Sequence, residues 1–564
     1  MGRKRTSRIG SGHRRHDDRK LSHWPDLEPH EAMSIRGRRP AARGLFGRLD
    51  FGGEMTDGAA PMIDVQERYT QARIENLRPP QWRNPQVTKT YDLVVLGAGP
   101  GGVAAAKEAR RLGASVALVE MQLIGGDKLN AGCVPSKAII RSARAYADMR
   151  AAGNFGARRP NDIAVDLPYA FERMRRMQSR LSRLENAQRL AEGGIDVFFG
   201  DGRFIESDAI AIGGQTVCFE YAIIATGSRP LTPSIEGIQD VGFFTNESVF
   251  LCADMPRRVL MIGGGPLGCE LAQTFARLSV SVAIAQHDPM FLAGEERDAA
   301  QILSGVLERE GVEIHLNTDV VAVRKQDDAK IATLLSAGQE SFCVVDELIV
   351  GVGRAPNVEN IGLEQGGIEY AAGAGVTVDD WLRTSNERVF AIGDVCMSRK
   401  YTHAAEAAAQ LAVRNALLQQ ENRLSGLIIP YCTYTDPEIA HVGLHVREIR
   451  ERGIPVKTYT VLMQDVDRAV IDGEDEGFVK VHVKEGDDKI LGATIVARHA
   501  GEMINALSLA VNCNIGLKRL SEVIHAYPTQ AEAVKLAADA CARDLSTDGV
   551  PVKFAKATPD DGDF

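Results

Sequence analysis

The chain is poor in cysteine: nine residues among 564, scattered, with no C-x-x-C pair and no zinc-type spacing. That argues against a metal site and fits a reducing cytoplasm, the compartment we expect. Cys218, Cys252, Cys269, Cys343 and Cys513 fall in apolar strand or helix patterns and read as small buried hydrophobes. Excess positive charge is also lacking. The net charge is −9, which argues against a nucleic-acid partner. No apolar run reaches the roughly 18 residues of a membrane span, so no membrane association is expected. The basic stretch Met1 to about Asp50 has no apolar core, so it is not a secretory signal, and Arg14-Arg15 lacks the apolar stretch of a twin-arginine signal. Residues 1–62 are expected to be a disordered basic extension, or the product of an upstream start with Met55 or Met62 as the true beginning.

Hydrophobic content of 44% and charged content of 25% are ordinary for a globular protein. The length is too great for one core and predicts three or four domains. Asp64 to Leu77 has a helical pattern and is expected to pack as an arm. At Tyr91 a buried strand, YDLVVLGAG, runs into Gly97, Gly99 and Gly102, the G-x-G-x-x-G spacing. The first glycine permits the tight turn, the second lets backbone approach a pyrophosphate, and the third lets helix pack on strand. The helix VAAAKEARRLG follows, its N-terminus toward the phosphates. The strand SVALVE then ends on Glu120, 23 residues after Gly97 and close to the roughly 20 expected for a carboxylate that holds ribose hydroxyls. Ala170 to Gly194 reads as one long polar helix. Near Arg257 the whole pattern repeats with Gly263, Gly265 and Gly268. Two copies predict two bound dinucleotides. The second copy ends on Gln286 and His287 in place of a carboxylate. That removes repulsion against a 2′-phosphate, and His287 could help bind one, so NADPH is expected there, with NADH possible.

Between the two copies lies Gly125–Lys137, GGDKLNAGCVPSK. It resembles the redox-disulfide segment of the class I pyridine nucleotide-disulfide oxidoreductases (lipoamide dehydrogenase, glutathione reductase, mercuric reductase), GG-x-C-L-N-x-G-C-x-P-S-K. The second cysteine is Cys133, and Lys128 stands at the first. The resemblance runs from Tyr91 to Leu545 and rests also on the two glycine fingerprints, Ala391–Asp394 and Pro528-Thr529. CTYTDPEIAHVG, HAGEMI and the tyrosine of HAYPT look most like the mercuric-reductase-like branch. The metal-binding C-x-x-C and paired C-terminal cysteines of true mercuric reductases are not seen, and Cys541 stands alone.

The resemblance implies an α/β fold with two Rossmann-like dinucleotide-binding domains, for FAD and NAD(P), plus an α+β C-terminal dimerisation domain. The expected boundaries are a helical arm at 63–89, the FAD domain at 90–245 and 358–428, the NAD(P) domain at 246–357, the interface domain at 429–545 and a tail at 546–564. It implies a homodimer with the active site shared between subunits. Lys137 would lie near flavin N5, paired with Glu270. Gly126, Thr226, Gly227, Gly353 and Asp394 would border the cofactors, Asp394 at the ribityl and phosphate region. Thr402 is the expected N-cap of a helix whose N-terminus, with His403, would face the flavin C2 carbonyl. Tyr527 stands where lipoamide dehydrogenase and glutathione reductase carry the base histidine, with Glu532 retained.

Without a cysteine at 128, disulfide reduction by the family route is not expected. We expect instead an FAD-dependent NAD(P)H oxidoreductase that hands electrons straight to a small acceptor: a quinone, oxygen or another. An alternative makes Cys133 a single redox thiol, with the Lys128 ammonium favouring its thiolate. A third is a flavin-bearing structural or sensing protein. The pocket of Lys128, Cys133, Tyr527 and Glu532 reads as cationic on one side.

Overall fold

The computed structural model describes residues 68–158, 163–252 and 256–547. The expectations for 1–62 and for the tail beyond 547 lie outside the described residues. Of the expected arm, helix Arg68–Leu77 is present. Leu77 is fully buried. Arg73 donates to the carbonyl and side-chain oxygens of Asn130 (both 3.3 Å), and Asn76 to Ser182 Oγ (2.9 Å). The arm therefore braces the Gly125–Lys137 segment.

Four strands build the first parallel sheet in the order Ile195–Phe199, Val116–Glu120, Tyr91–Leu96 and Gln215–Ile224, and Val389–Ala391 returns to pair with the last. Tyr91–Leu96 is buried at five of its six positions, as a parallel strand covered on both faces must be. Helix Pro100–Arg111 buries Gly101, Val103, Ala105, Ala106 and Ala109. Helix Thr402–Leu418 answers with Ala404, Ala408 and Ala412. Small residues let the two backbones come close: a Cβ at Gly101 would stand 3.2 Å from Ala405 Cβ. The N-terminus of the second helix is thereby carried to the first glycine turn.

The second sheet repeats this topology, with Glu313–His315, Ser281–Ala285, Arg258–Ile262 and Glu347–Val350 all parallel. A three-stranded antiparallel sheet, Thr318–Gln326, Ala329–Ser336 and Gln339–Val345, is appended to it. Strands Ser228–Pro230 and Arg354–Pro356 pair where the chain passes between the two units. The C-terminal unit is a five-stranded antiparallel sheet from Tyr431 to Ala497, with helices Ala500–Asn512 and Glu532–Thr547 following in sequence. The last helix runs on through Leu545 to Thr547. Leu462, Ile471, Leu509, Ile524 and Tyr527 of this unit are left exposed in the single chain, Ile524 by 95%.

Three expectations need correction. Ala170–Gly194 is two helices, Leu167–Ser182 and Ala187–Glu192. Asn186 caps the second by accepting from Arg189 N at 2.8 Å, and a capping side chain inside a polar run starts a new helix. Cys218 and Cys513 are exposed, and Cys252 and Cys343 only part-buried; of the five, Cys269 alone is buried. Cys218 sits where strand Gln215–Ile224 leaves the parallel sheet to pair with hairpin strand Ala209–Ile212, and there alternate residues face solvent. Thr402 is not the N-cap of its helix. Tyr401 holds that position with no side-chain cap.

Candidate active site

The first glycine turn is shaped by what cannot fit in it. Gly97 has φ +102°, and a Cβ there would meet the Ala225 carbonyl oxygen at 2.3 Å. A Cβ on Gly102 would stand 1.8 Å from Gly97 O. Gly99 and Gly126 cross: a Cβ on Gly126 (φ +51°) would come within 2.9 Å of Gly99 Cα. Backbone thus lies on backbone at the entrance to helix Pro100–Arg111, whose free N-terminal N–H groups suit an anion. Glu120 closes the unit. Its Oε2 accepts from Ala98 N (2.8 Å) and its Oε1 from Gln122 N (2.7 Å). Burial raises its pKa, against those N–H groups and the Arg78 charge. Thr226 Oγ1 donates to Asn357 O and Asn357 Nδ2 to Thr226 O, fixing Gly227 at the crossing between units. Asp394 Oδ2 accepts from Ser228 Oγ at 2.6 Å. The glycine turn, the Glu120 carboxylate and Asp394 fit a dinucleotide such as FAD.

The Gly125–Lys137 segment folds as a short helix, Gly126–Asn130, followed by helix Cys133–Ala151. Gln178 Nε2 ties down its turn, donating to the carbonyls of Leu129 (2.9 Å) and Asn130 (3.1 Å). Lys137 Nζ reaches across to the second unit and donates to Glu270 Oε2 at 2.8 Å. Glu270 is almost fully buried, and its Oε1 accepts from Tyr434 N at 2.9 Å. The Tyr434 ring lies under the same ammonium, 4.6 Å away. Burial alone would lower the Lys137 pKa. The charge of Glu270, with Cys133 and Cys432 nearby, more than offsets it, and the pKa is raised. This amine stays protonated.

Cys133 is exposed at the first turn of its helix, its Sγ 3.6 Å from Thr402 Oγ1. Lys128 does not turn to it. Its Nζ lies 3.2 Å from Glu406 and 3.9 Å from Glu185, and Glu185 is shared with Lys107 (3.2 Å). Two lysines meet two carboxylates, so the expected cationic side is neutralised at Lys128. His403 Nε2 bonds Pro430 O at 2.6 Å, and its ring stacks on Tyr401. Tyr527 donates its hydroxyl to Asp467 (2.8 Å), and that bond raises its pKa further from a useful base. Glu532 opens the last helix. Among the described residues, no hydrogen bond or ion pair joins Tyr527 or Glu532 to Cys133, Lys128 or Lys137.

In the second unit a Cβ on Gly263 (φ +105°) would meet Gly351 O at 2.6 Å and one on Gly268 would meet Gly263 O at 2.1 Å, as in the first. Gly265 has nothing within 4 Å of such an atom. Gln286 Oε1 accepts from Gly264 N (2.6 Å) and its Nε2 donates to Asp288 (2.8 Å). His287, 81% exposed, pairs with Asp319 at 2.7 Å, which raises its pKa. Gly353 (φ +122°) precedes Arg354, which donates to Asp127 and to Ser228. Sequence reasoning missed Tyr434, Asp127 and Arg354 as site residues. A charged residue next to the glycine pair Gly125-Gly126 was the one available signal.

The family model of the pyridine nucleotide-disulphide oxidoreductases matches residues 91–410, and the model of their dimerisation domain matches 429–538. A mercuric reductase of Streptomyces lividans is 32% identical over 461 residues, 81% of this chain and 97% of that protein. A dihydrolipoyl dehydrogenase of Thermus scotoductus is 32% identical over 460 residues, 80% and 97%. Among solved structures, the HOCl-induced flavoprotein disulfide reductase RclA of Escherichia coli superposes with TM-score 0.71 at 25% identity, covering 79% of this chain and 98% of that one. The match to the dimerisation domain supports a homodimer. No helix among the described residues is long and apolar enough to cross a membrane. The chain belongs to the pyridine nucleotide-disulphide oxidoreductase family and is an FAD-dependent oxidoreductase that uses NAD(P)H.

Proposed function

We propose that electrons pass from NADPH, in preference to NADH, through FAD directly to a small electron-poor acceptor such as a quinone or oxygen, with no cysteine pair in the path. The observation that carries this reading is position 128. It holds no sulfur, and its ammonium is taken by Glu406 and Glu185. Cys133 therefore has no partner thiol in this segment, and the Lys128 ammonium is not turned to activate it. Bound FAD supplies the two-electron transfer between nicotinamide and acceptor. The chain supplies a fixed positive charge, Lys137, held by Glu270 and Tyr434 at the junction of the two units. A charge already in place stabilises negative charge that develops next to it without reorganisation. The preference for NADPH rests on the neutral Gln286 beside His287, whose pKa the Asp319 carboxylate raises. Tyr527 and Glu532 complete the acceptor pocket from the second subunit of the homodimer. We expect the enzyme in the cytoplasm.

Anaerobic titration with NADPH tests the reading. The visible spectrum should bleach with two electrons per flavin and show no long-wavelength charge-transfer band. Uptake of a second electron pair overturns it. One observation favours a second reading, Cys133 as a lone redox thiol: it is exposed at a helix N-terminus beside a hydroxyl. Cys133→Ser separates the two, sparing acceptor turnover in the first and abolishing it in the second. The intact Lys137–Glu270 pair and the second glycine turn speak against a protein without turnover.

A further inference from the structure

One guanidinium ties together parts of the chain more than 200 residues apart. Arg354 Nε donates to Ser228 Oγ (2.7 Å) and Nη2 to Ser228 O (2.7 Å) and to Asp127. Its Nη1 reaches Asn246 Oδ1 at 3.4 Å, and Asn246 Nδ2 donates to the Ala131 carbonyl at 3.2 Å. Ser228 passes the link to Asp394, whose Oδ2 lies 3.6 Å from Arg354 Nε. The same cation therefore holds Asp127, next to the Gly126–Gly99 crossing, and Asp394, which follows the returning strand Val389–Ala391.

The charges here are unevenly matched. Asp127, Asp394 and Glu247 face Arg354. Arg229 is bound to Glu359 through both carboxylate oxygens (2.9 and 2.7 Å), and Lys400 Nζ is 3.4 Å from the Asp394 carbonyl. Burial raises the Asp127 pKa, against Arg354. Burial and the Asp127 charge push Glu247 up to about 7. An anionic diphosphate entering beside these carboxylates would be repelled without the guanidinium.

We propose that Arg354, acting through Asp127, is a positioning residue for the bound FAD: it pins the Gly125–Lys137 segment against Asp394 and cancels the carboxylate charge that would oppose the cofactor's diphosphate. The role is electrostatic, so it is repairable by charge. Asp127 and Arg354 act as a unit, and removing the carboxylate offsets the loss of the cation.

FAD is stripped from the purified full-length protein and from its variants, and rebinding is followed by quenching of flavin fluorescence at about pH 6 and about pH 8.5. Arg354→Gln should weaken FAD binding roughly tenfold to a hundredfold, the worth of a charged hydrogen-bond pair. The defect should be larger at the higher pH, where Glu247 is ionised. Arg354→Gln with Asp127→Asn should recover most of the affinity, and Arg354→Lys much of it. Circular dichroism of the apoproteins separates loss of fold from loss of charge. Wild-type affinity in Arg354→Gln, or a double variant no better than the single, overturns the proposal. If Arg354→Gln does not fold, Arg354→Lys decides in its place: with the positive charge kept it should retain much of the FAD affinity, and loss of FAD binding in a folded Arg354→Lys overturns the proposal.

Discussion

The two glycine turns are built alike and finished differently. Gly97 and Gly263 share nearly the same positive φ, and Gly102 and Gly268 each press on the carbonyl of the turn's first glycine. Glu120 Oε2 and Gln286 Oε1 accept from the equivalent backbone N–H, that of Ala98 and that of Gly264. They part at the middle glycine. Gly99 lies under Gly126, whereas Gly265 faces open space. They part again in charge, a part-buried carboxylate against a carboxamide. The first turn is closed over by another stretch of chain and suits a cofactor that stays. The second is open and suits one that comes and goes.

The strongest way to break that contrast is to wedge the closed turn. Gly126→Val adds a side chain at φ +51°, where Gly99 Cα would stand 2.9 Å from its Cβ. Neither backbone can yield without opening the turn. The variant should purify without flavin, seen as loss of visible absorbance. Gly265→Ala is the control on the open side. It has room, and it should keep its flavin and change only the KM for NADPH.

That contrast was half legible in the sequence. A glycine announces a missing side chain, so both turns, the strands entering them and the helices leaving them could be read from spacing. What closes the first turn could not. Lys128 finds Glu185 and Glu406, which lie 57 and 278 residues further along the chain. Arg354 finds Asp127 across 227 residues. Tyr434 reaches Glu270 with its backbone N–H, which has no sequence signature. Ion pairs of this kind are set by how domains dock, and periodicity carries no record of docking. The same limit explains Cys218: the strand pattern was right, but which face the hairpin left bare depends on its neighbours.

The Lys137–Glu270 pair spans the comparison, the amine from beside the closed turn and the carboxylate from the open one. Glu270→Gln keeps the shape and removes the charge. Flavin reduction by NADPH should slow about tenfold to a hundredfold, less than the loss of a fully enclosed donor because the Lys137 side chain is one-third exposed. The sign of the pH effect follows from the raised pKa. In the wild type Lys137 holds its proton as pH rises, because Glu270, together with Cys133 and Cys432, outweighs burial. Without Glu270, burial dominates and the amine deprotonates at lower pH. The rate of flavin reduction should then fall with rising pH where the wild type stays flat, as stopped-flow absorbance would show. An unaltered profile would mean that the pair holds domains together and does nothing for the flavin.

Gln286→Glu makes the open turn resemble the closed one. The new carboxylate should keep the bond from Gly264 N and face both Asp288 and a 2′-phosphate. Affinity for NADPH should drop about tenfold while NADH gains a partner for its ribose, measured as the ratio of kcat/KM values. A variant that still prefers NADPH would place the discrimination elsewhere.

The smallest effect belongs to His287. It is exposed, and its charge is shared with Asp319 and screened by water. His287→Ala should raise the KM for NADPH only about two- to threefold, and leave that for NADH unchanged. Asp319 raises the His287 pKa, so the imidazolium and its attraction for a 2′-phosphate are present at low pH and fade as pH rises through that raised value. The proposed preference for NADPH should therefore narrow toward alkaline pH in the wild type, and in His287→Ala it should not change with pH over the same range. High salt should shrink the wild-type preference in the same direction. A preference that ignores both pH and salt would mean that the open turn tells the two coenzymes apart by shape rather than charge, and Gln286 alone would then carry the discrimination.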